Sequence, residues 1–173
     1  VLQLEFPEPR TALFHLGKSI EEYPDTELIV LSEYTFKIGP PLGILEWAKE
    51  NRRYIILGAV ERFGEERNGF YNTAFVIGPE GNIVHRQVKS VPVQFFVDGY
   101  PAREQKLWNS PWGRIGLAIC YDLSYSRVID KLVHMGAQAI IVPTMDVSGW
   151  GRHEHDLHAR VGPVRAAEYR VPV

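Results

Sequence analysis

Three residues carry reactive groups at positions where such groups are seldom idle. Cys120 is the only cysteine in the chain and closes the apolar run "IGLAIC", with a carboxylate, Asp122, two residues on. Glu33 closes the apolar run "ELIVLSE", and Lys89 closes "NIVHRQVK". Each also has an ordinary reading. A free cysteine usually packs as a small hydrophobe. A Glu or Lys at the end of a strand is usually the first solvated residue. Together, however, they make a base, a nucleophile and an electrostatic stabiliser, an acyl-transfer set that needs no histidine. Where strand gives way to helix, orphan N–H groups would favour a Cys120 thiolate and could also hold an oxyanion. A carboxylate at the depth of Glu33 could serve as a general base. Lys89 would favour both thiolate and oxyanion.

For that chemistry the chain must bring three distant strand ends together. Apolar runs 27–33, 54–61, 113–120 and 137–143 read as buried strands. "GILEWAKENRR" (43–53) reads as a helix, with Arg52 and Arg53 at its C-terminal dipole end. "YNTAFVI" and "NIVHRQVK" flank "GPEG" as a hairpin. Residues 124–135 place Tyr125, Val128, Ile129, Leu132 and Val133 at helical spacing, stopped by Gly136. "EHDLHARVGPVRAAEYR" reads as a helical region broken or kinked at Gly162-Pro163. Strands apolar on both faces, alternating with helices, predict an α/β sheet covered by helices, with function at the strands' C-terminal ends.

Bulk properties narrow the function. The 173 residues suit one domain, 1–173, at 45% hydrophobic and 23% charged. A net charge of −2 without a basic stripe argues against a nucleic-acid partner. A single cysteine fits a reducing, cytoplasmic compartment. No run reaches the ~20 apolar residues that span a bilayer, so any membrane association would need segments outside this sequence. The opening "VLQLEF" reads as a strand under way and the closing "EYRVPV" has no stop signal, so a truncated chain is expected.

Other candidates are weaker. "HEHDLH" (153–158) collects metal-ligand types, but it lacks the His-Glu-x-x-His order, so no metal is expected and a polar rim to the site is favoured. The same histidines leave open a Cys–His amidotransferase. "QFFVDGY" reads as core or as a lid over the site, with Phe96 a substrate-binding candidate, and "GEERNG" as a solvated turn. A fold that binds a partner without catalysis also stays open.

Four blocks in order resemble the carbon–nitrogen hydrolase (nitrilase) superfamily. "LIVLSEYTF" resembles its Glu strand, "GFYNTAFVIGPEGNIVHRQVKSVP" its Lys block, "SPWGRIGLAICYDLSY" its nucleophile block and "RAAEYRVPV" its Arg-Ala-x-Glu block, with "GAQAIIVP" as the intervening strand. The resemblance implies an α-β-β-α sandwich, incomplete at the C-terminus. It implies a Cys120 thioester, Glu33 as proton shuttle, and Lys89 with the Tyr121 N–H at the oxyanion. It implies no cofactor, a small amide, nitrile or acyl donor as substrate, and a homodimer. Asp98 stands nearest to the superfamily's second Glu. "MDVSGWG" and "HARVGPVRAAE" resemble the apolipoprotein N-acyltransferase branch, placing Trp150, His158 and Arg165 near the site and Asp122 at that branch's Glu. That branch would make this the soluble domain of a membrane protein.

Overall fold

The computed structural model describes residues 1–64, 69–95 and 97–173. The turn expected in "GEERNG" and the candidate Phe96 fall largely or wholly outside these residues.

Two sheets lie face to face between helices. The first has the order β1-β2-β3-β4, from β1 (Leu28–Val30), β2 (Tyr54–Phe63), β3 (Gly69–Ile77) and β4 (Ile83–Val88). The β1 and β2 strands run parallel, with Ile29 opposite Ile55, while β2-β3 and β3-β4 are antiparallel. The second sheet has the order β5-β6-β7, from β5 (Leu107–Ser110), β6 (Gly113–Leu117) and β7 (Ala139–Ile141). Here β5 is antiparallel to β6, and β6 is parallel to β7.

Strands that are apolar on both faces need cover on both. Ile56, Ala74 and Val76 of the first sheet share one buried cluster with Trp108, Ile115 and Leu117 of the second, which closes the space between the sheets. On the far side of the first sheet, Ala12 and Leu16 of α1 (Pro9–Glu22) and Ile44 and Ala48 of α2 (Leu42–Asn51) cover Ile29, Ile55, Leu57 and Phe75. On the far side of the second, Val128, Ile129 and Leu132 of α3 (Ser126–His134) pack over Ala118 and Ile140. These are the four layers of the expected α-β-β-α sandwich.

The structure corrects several expected boundaries. Helix α1 and strand β5 were not foreseen; Pro9 at the helix start and Ala12, Leu13, Leu16 and Ile20 at helical spacing were the available signal for α1. The opening strand reduces to one bridge, Leu2 to Leu31. Arg52 and Arg53 lie past the end of α2, where Arg52 turns into the left-handed region (φ 53°) to start β2; Lys49 occupies the last turn instead. β6 stops at Leu117, and Cys120–Ser124 forms a 3₁₀ turn ahead of α3. The last helix, α4 (Arg152–Tyr169), runs unbroken through Pro163. Ala159 and Pro163 are both exposed, so water can take the carbonyl that a proline deprives of its partner.

Candidate active site

The parallel pairings aim β1 and β6 the same way as their neighbours, and the loops beyond them converge on one cleft. Glu33 lies three residues past β1, Lys89 directly past β4 and Cys120 three residues past β6. All three line a cleft of about 770 Å³. The expected convergence of these residues is therefore observed.

Local geometry sets Glu33 first. Tyr34 takes a positive φ of 49°, which folds the chain back onto β2. Gly58 makes that approach possible: a Cβ there would stand 2.6 Å from both Glu33 Cα and Tyr34 N. The Gly58 N–H also donates to Ser32 O at 3.0 Å. Glu33 is only 3% exposed. Its Oε1 accepts from Lys89 Nζ at 2.9 Å and from Asn72 Nδ2 at 2.6 Å, and its Oε2 from the Met145 N–H at 3.3 Å.

Lys89 is buried to 1% exposure, which a lone ammonium would not tolerate. It also bonds Asp98 Oδ2 at 2.7 Å. Burial alone would pull its pKa down, but the charges of Glu33 and Asp98 outweigh burial and raise it above the ordinary lysine value. Burial likewise works to raise Asp98, yet Lys89 and the donors Tyr34 and Val93 hold it below the usual carboxylate value. Tyr34 OH donates to Asp98 Oδ1 at 2.6 Å, Asn72 Nδ2 donates to the same oxygen at 3.0 Å, and the Val93 N–H donates to Oδ2 at 2.8 Å. Asp98 is thus the third charge of a buried Glu33–Lys89–Asp98 cluster, at the place where the superfamily resemblance expected a second acid.

Cys120 sits in the left-handed region (φ 46°), a conformation that costs an L residue about 1–3 kcal/mol and is held only where its surroundings insist. Its N–H donates to Pro143 O at 3.0 Å. Asp122 locks the turn from below by accepting the N–H groups of Ile119 (3.0 Å), Ser90 (3.0 Å) and Val91 (2.7 Å). From outside, Arg165 donates to Leu123 O at 3.0 Å and Ser124 O at 2.9 Å. Arg165 therefore braces the nucleophile turn.

One electrostatic expectation is corrected. The thiol is not held as a thiolate. Burial pushes its pKa up, Glu33 adds to this, and Lys89 only partly opposes them. The turn is a five-residue 3₁₀ piece, too short to supply a substantial dipole. Glu33 lines the same cleft as the thiol and its charge acts on it directly, which makes that carboxylate a proton acceptor for Cys120.

The remaining lining is mostly apolar: Phe6, Val93, Phe95, Val97, Met145 and Trp150. Trp150 and His158 both reach the cleft, as expected, and Tyr121 flanks Cys120 with its ring edge-on to Tyr125. His158 Nδ1 is 2.6 Å from Asp146 Oδ1. Cys120, Asp146 and His158 each place one potential ligand atom within 4.8 Å of the others, a group that excludes His153 and His155. Sequence reasoning missed Tyr34, Asn72 and Asp146 as site residues. Tyr34 and Asn72 stand inside the quoted motifs, beside Glu33 and in "FYNTA", but no property of a lone Tyr or Asn marks it.

Comparison with known proteins shows the family and the fold. The carbon–nitrogen hydrolase family model matches residues 42–173, and the chain belongs to that family. Among curated relatives, the omega-amidase NIT2 of Mus musculus is 26% identical over 131 residues, covering 70% of this chain and 45% of that protein. The deaminated glutathione amidase of Dictyostelium discoideum is 31% identical over 126 residues, covering 63% and 43%. The chain thus spans less than half the length of these relatives. Among solved structures, Nit3 of Saccharomyces cerevisiae, a nitrilase-superfamily member, has a TM-score of 0.74 at 21% identity, covering 94% of this chain and 66% of that one. An amidase from Nesterenkonia sp. with the acetamide moiety of fluoroacetamide added at its active-site cysteine has a TM-score of 0.77 at 15% identity, covering 98% and 70%. These show a shared fold. The likeness to the N-acyltransferase branch rests on sequence alone, on "MDVSGWG", "HARVGPVRAAE" and Asp122. Among the described residues, no helix is long and apolar enough to cross a membrane.

Proposed function

We propose that this chain carries the catalytic site of a thiol amidase acting on neutral amides with an apolar acyl group. The observation that carries the reading is the buried Lys89–Glu33 pair, 2.9 Å apart, set beside the Cys120 thiol in the wall of an apolar cleft. Glu33 takes the thiol proton as Sγ attacks the amide carbon, and the carbonyl electron pair moves onto oxygen. Lys89 and the Tyr121 N–H stabilise that oxyanion. The intermediate collapses, the C–N bond breaks, and Glu33 returns the proton to the leaving nitrogen. Water then attacks the thioester, releasing the acid and restoring the thiol.

The cleft argues for the kind of acyl group. The one ammonium in its described lining, Lys89, is already paired with Glu33 and Asp98, the His158 ring is bonded to Asp146, and Glu154 adds negative charge. A substrate carboxylate would meet no unpaired partner there, whereas a hydrocarbon chain meets Phe6, Val93, Phe95, Val97 and Trp150. The half-exposed Trp150 and the exposed Phe95 at the mouth also suit transfer of the acyl group to an amine, the second reading. The amidase relatives favour water.

Ammonia release from hexanamide and from glutaramate tests the proposal. Hexanamide should be the better substrate, and Cys120→Ser should abolish its turnover. Preference for glutaramate would overturn the apolar acyl assignment. Turnover that survives Cys120→Ser would overturn the thiol mechanism.

A further inference from the structure

Cys120 has a base on each side. Glu33 lies on the inner side, 3% exposed and bonded to Lys89, Asn72 and the Met145 N–H. On the outer side stand Asp146 and His158, with side chains 14% and 29% exposed. A ring nitrogen of His158, a carboxylate oxygen of Asp146 and the sulfur all lie within 4.8 Å of one another, a span that one water molecule can bridge. The 2.6 Å bond from Nδ1 to the Asp146 carboxylate orients the ring and leaves Nε2 as its basic nitrogen. The pair comes from adjacent elements: Asp146 from the loop after β7, His158 from the second turn of α4.

We propose that the His158–Asp146 pair deprotonates the acyl acceptor, so that Glu33 serves the thiol and the leaving group while His158 serves the incoming water or amine. This rests on the thiol-acyl reading above. In the second half of the reaction an O–H or N–H bond of the acceptor breaks, its proton passes to His158, and the acceptor's electron pair forms the new bond to the thioester carbon. The carbonyl pair moves to oxygen and returns as the S–C bond breaks. The departing sulfur takes the proton back from His158. Atoms and charge balance with no further reactant. Acceptors enter from solvent, which is the side His158 occupies. Asp146 is a positioning residue, since it acts through the ring.

The test is rapid-mixing kinetics of the full-length protein with p-nitrophenyl acetate, whose leaving group needs no acid. The p-nitrophenol burst reports acylation, and the steady rate reports deacylation. His158→Gln should keep the burst within about twofold, because Glu33 is untouched. It should slow the steady rate about 100-fold, the usual worth of a positioned base. Asp146→Asn should slow it about tenfold with the burst likewise kept. Hydroxylamine, nucleophilic enough to attack without prior deprotonation, should restore acyl release in both variants. A retained burst is itself the control for folding. Burst and steady rate falling together without hydroxylamine rescue, or an unchanged steady rate, would overturn the assignment. A native protein that shows no burst and no acyl-Cys120 would overturn the thiol-acyl reading, and the division of labour with it.

Discussion

The Asp122 carboxylate bonds the backbone N–H of Ser90 at 3.0 Å, joining the turn of the nucleophile to the residue after Lys89. Through that contact one sheet's catalytic loop is registered against the other's. Asp122 is 1% exposed, and burial pushes its pKa up to about 6 against the opposing N–H groups of Ser90, Ile119 and Val91.

The first prediction follows from that shift. A carboxyl whose folded pKa lies above its unfolded value binds the proton more tightly when folded. Its contribution is therefore fully present at low pH and is lost as pH rises from about 4 to about 6. Asp122→Asn removes this titration and also places an NH₂ against N–H donors. The variant should be less stable than the native protein at pH 4, and the gap should narrow by roughly 2–3 kcal/mol by pH 7. Urea denaturation at both pH values measures it. A gap that widens with pH would contradict the assignment.

Gly58→Ala should be costly although alanine is small. Its Cβ would meet Glu33 Cα and Tyr34 N at 2.6 Å, and both are backbone atoms that cannot swing aside. A loss of about 1–3 kcal/mol is expected from overpacking, with turnover falling further than stability because Glu33 is displaced. Thermal unfolding and turnover of the variant would show both. Native-like turnover would mean that the Glu33 position is not critical.

Tyr34→Phe removes the 2.6 Å donor to Asp98. Stability should fall by about 1 kcal/mol. Turnover should fall several-fold, since Asp98 is then freer to draw Lys89 from Glu33. Unchanged kinetics would separate Tyr34 from the site.

The Cys120 thiol should react slowly with iodoacetamide at pH 7 and faster as pH rises, because burial and Glu33 raise its pKa. Lys89→Met removes the cation that opposes them and should slow alkylation about tenfold further. A fast, pH-independent reaction at neutral pH would show a resting thiolate instead.

Much of this site was legible in the sequence, and the reasons are physical. Apolar runs ending in Glu33 and Cys120 are visible because strand burial demands hydrophobic sequence and strand ends release it, while Lys89 is placed by the hairpin turn "GPEG" ahead of "NIVHRQVK". The four layers follow from the same runs, since two-faced strands require cover. What escaped were features that depend on the third dimension. Asp122 reads as a carboxylate near a cysteine, but its three N–H donors come partly from Ser90 and Val91, about 30 residues away. The thiol's protonated state was misjudged because burial beside Glu33 and Asp146 outweighs a short turn's dipole. Pro163 looked like a break because exposure of α4 cannot be read from a proline. Asp146 and His158 meet only because the connection 142–151, with its 3₁₀ turn at Ser148–Trp150, brings the start of α4 back over the loop after β7.

The central claim is that Cys120 accepts an acyl group with Glu33 as its base. Brief reaction of the full-length protein with p-nitrophenyl acetate, acid quenching and tryptic mass spectrometry test it directly. The account predicts an acetyl group on the peptide "IGLAICYDLSYSR", located to Cys120, and its formation slowed at least 100-fold in Glu33→Gln. Acetylation elsewhere with Cys120 unmodified, or equal rates in the native and Glu33→Gln proteins, would contradict it.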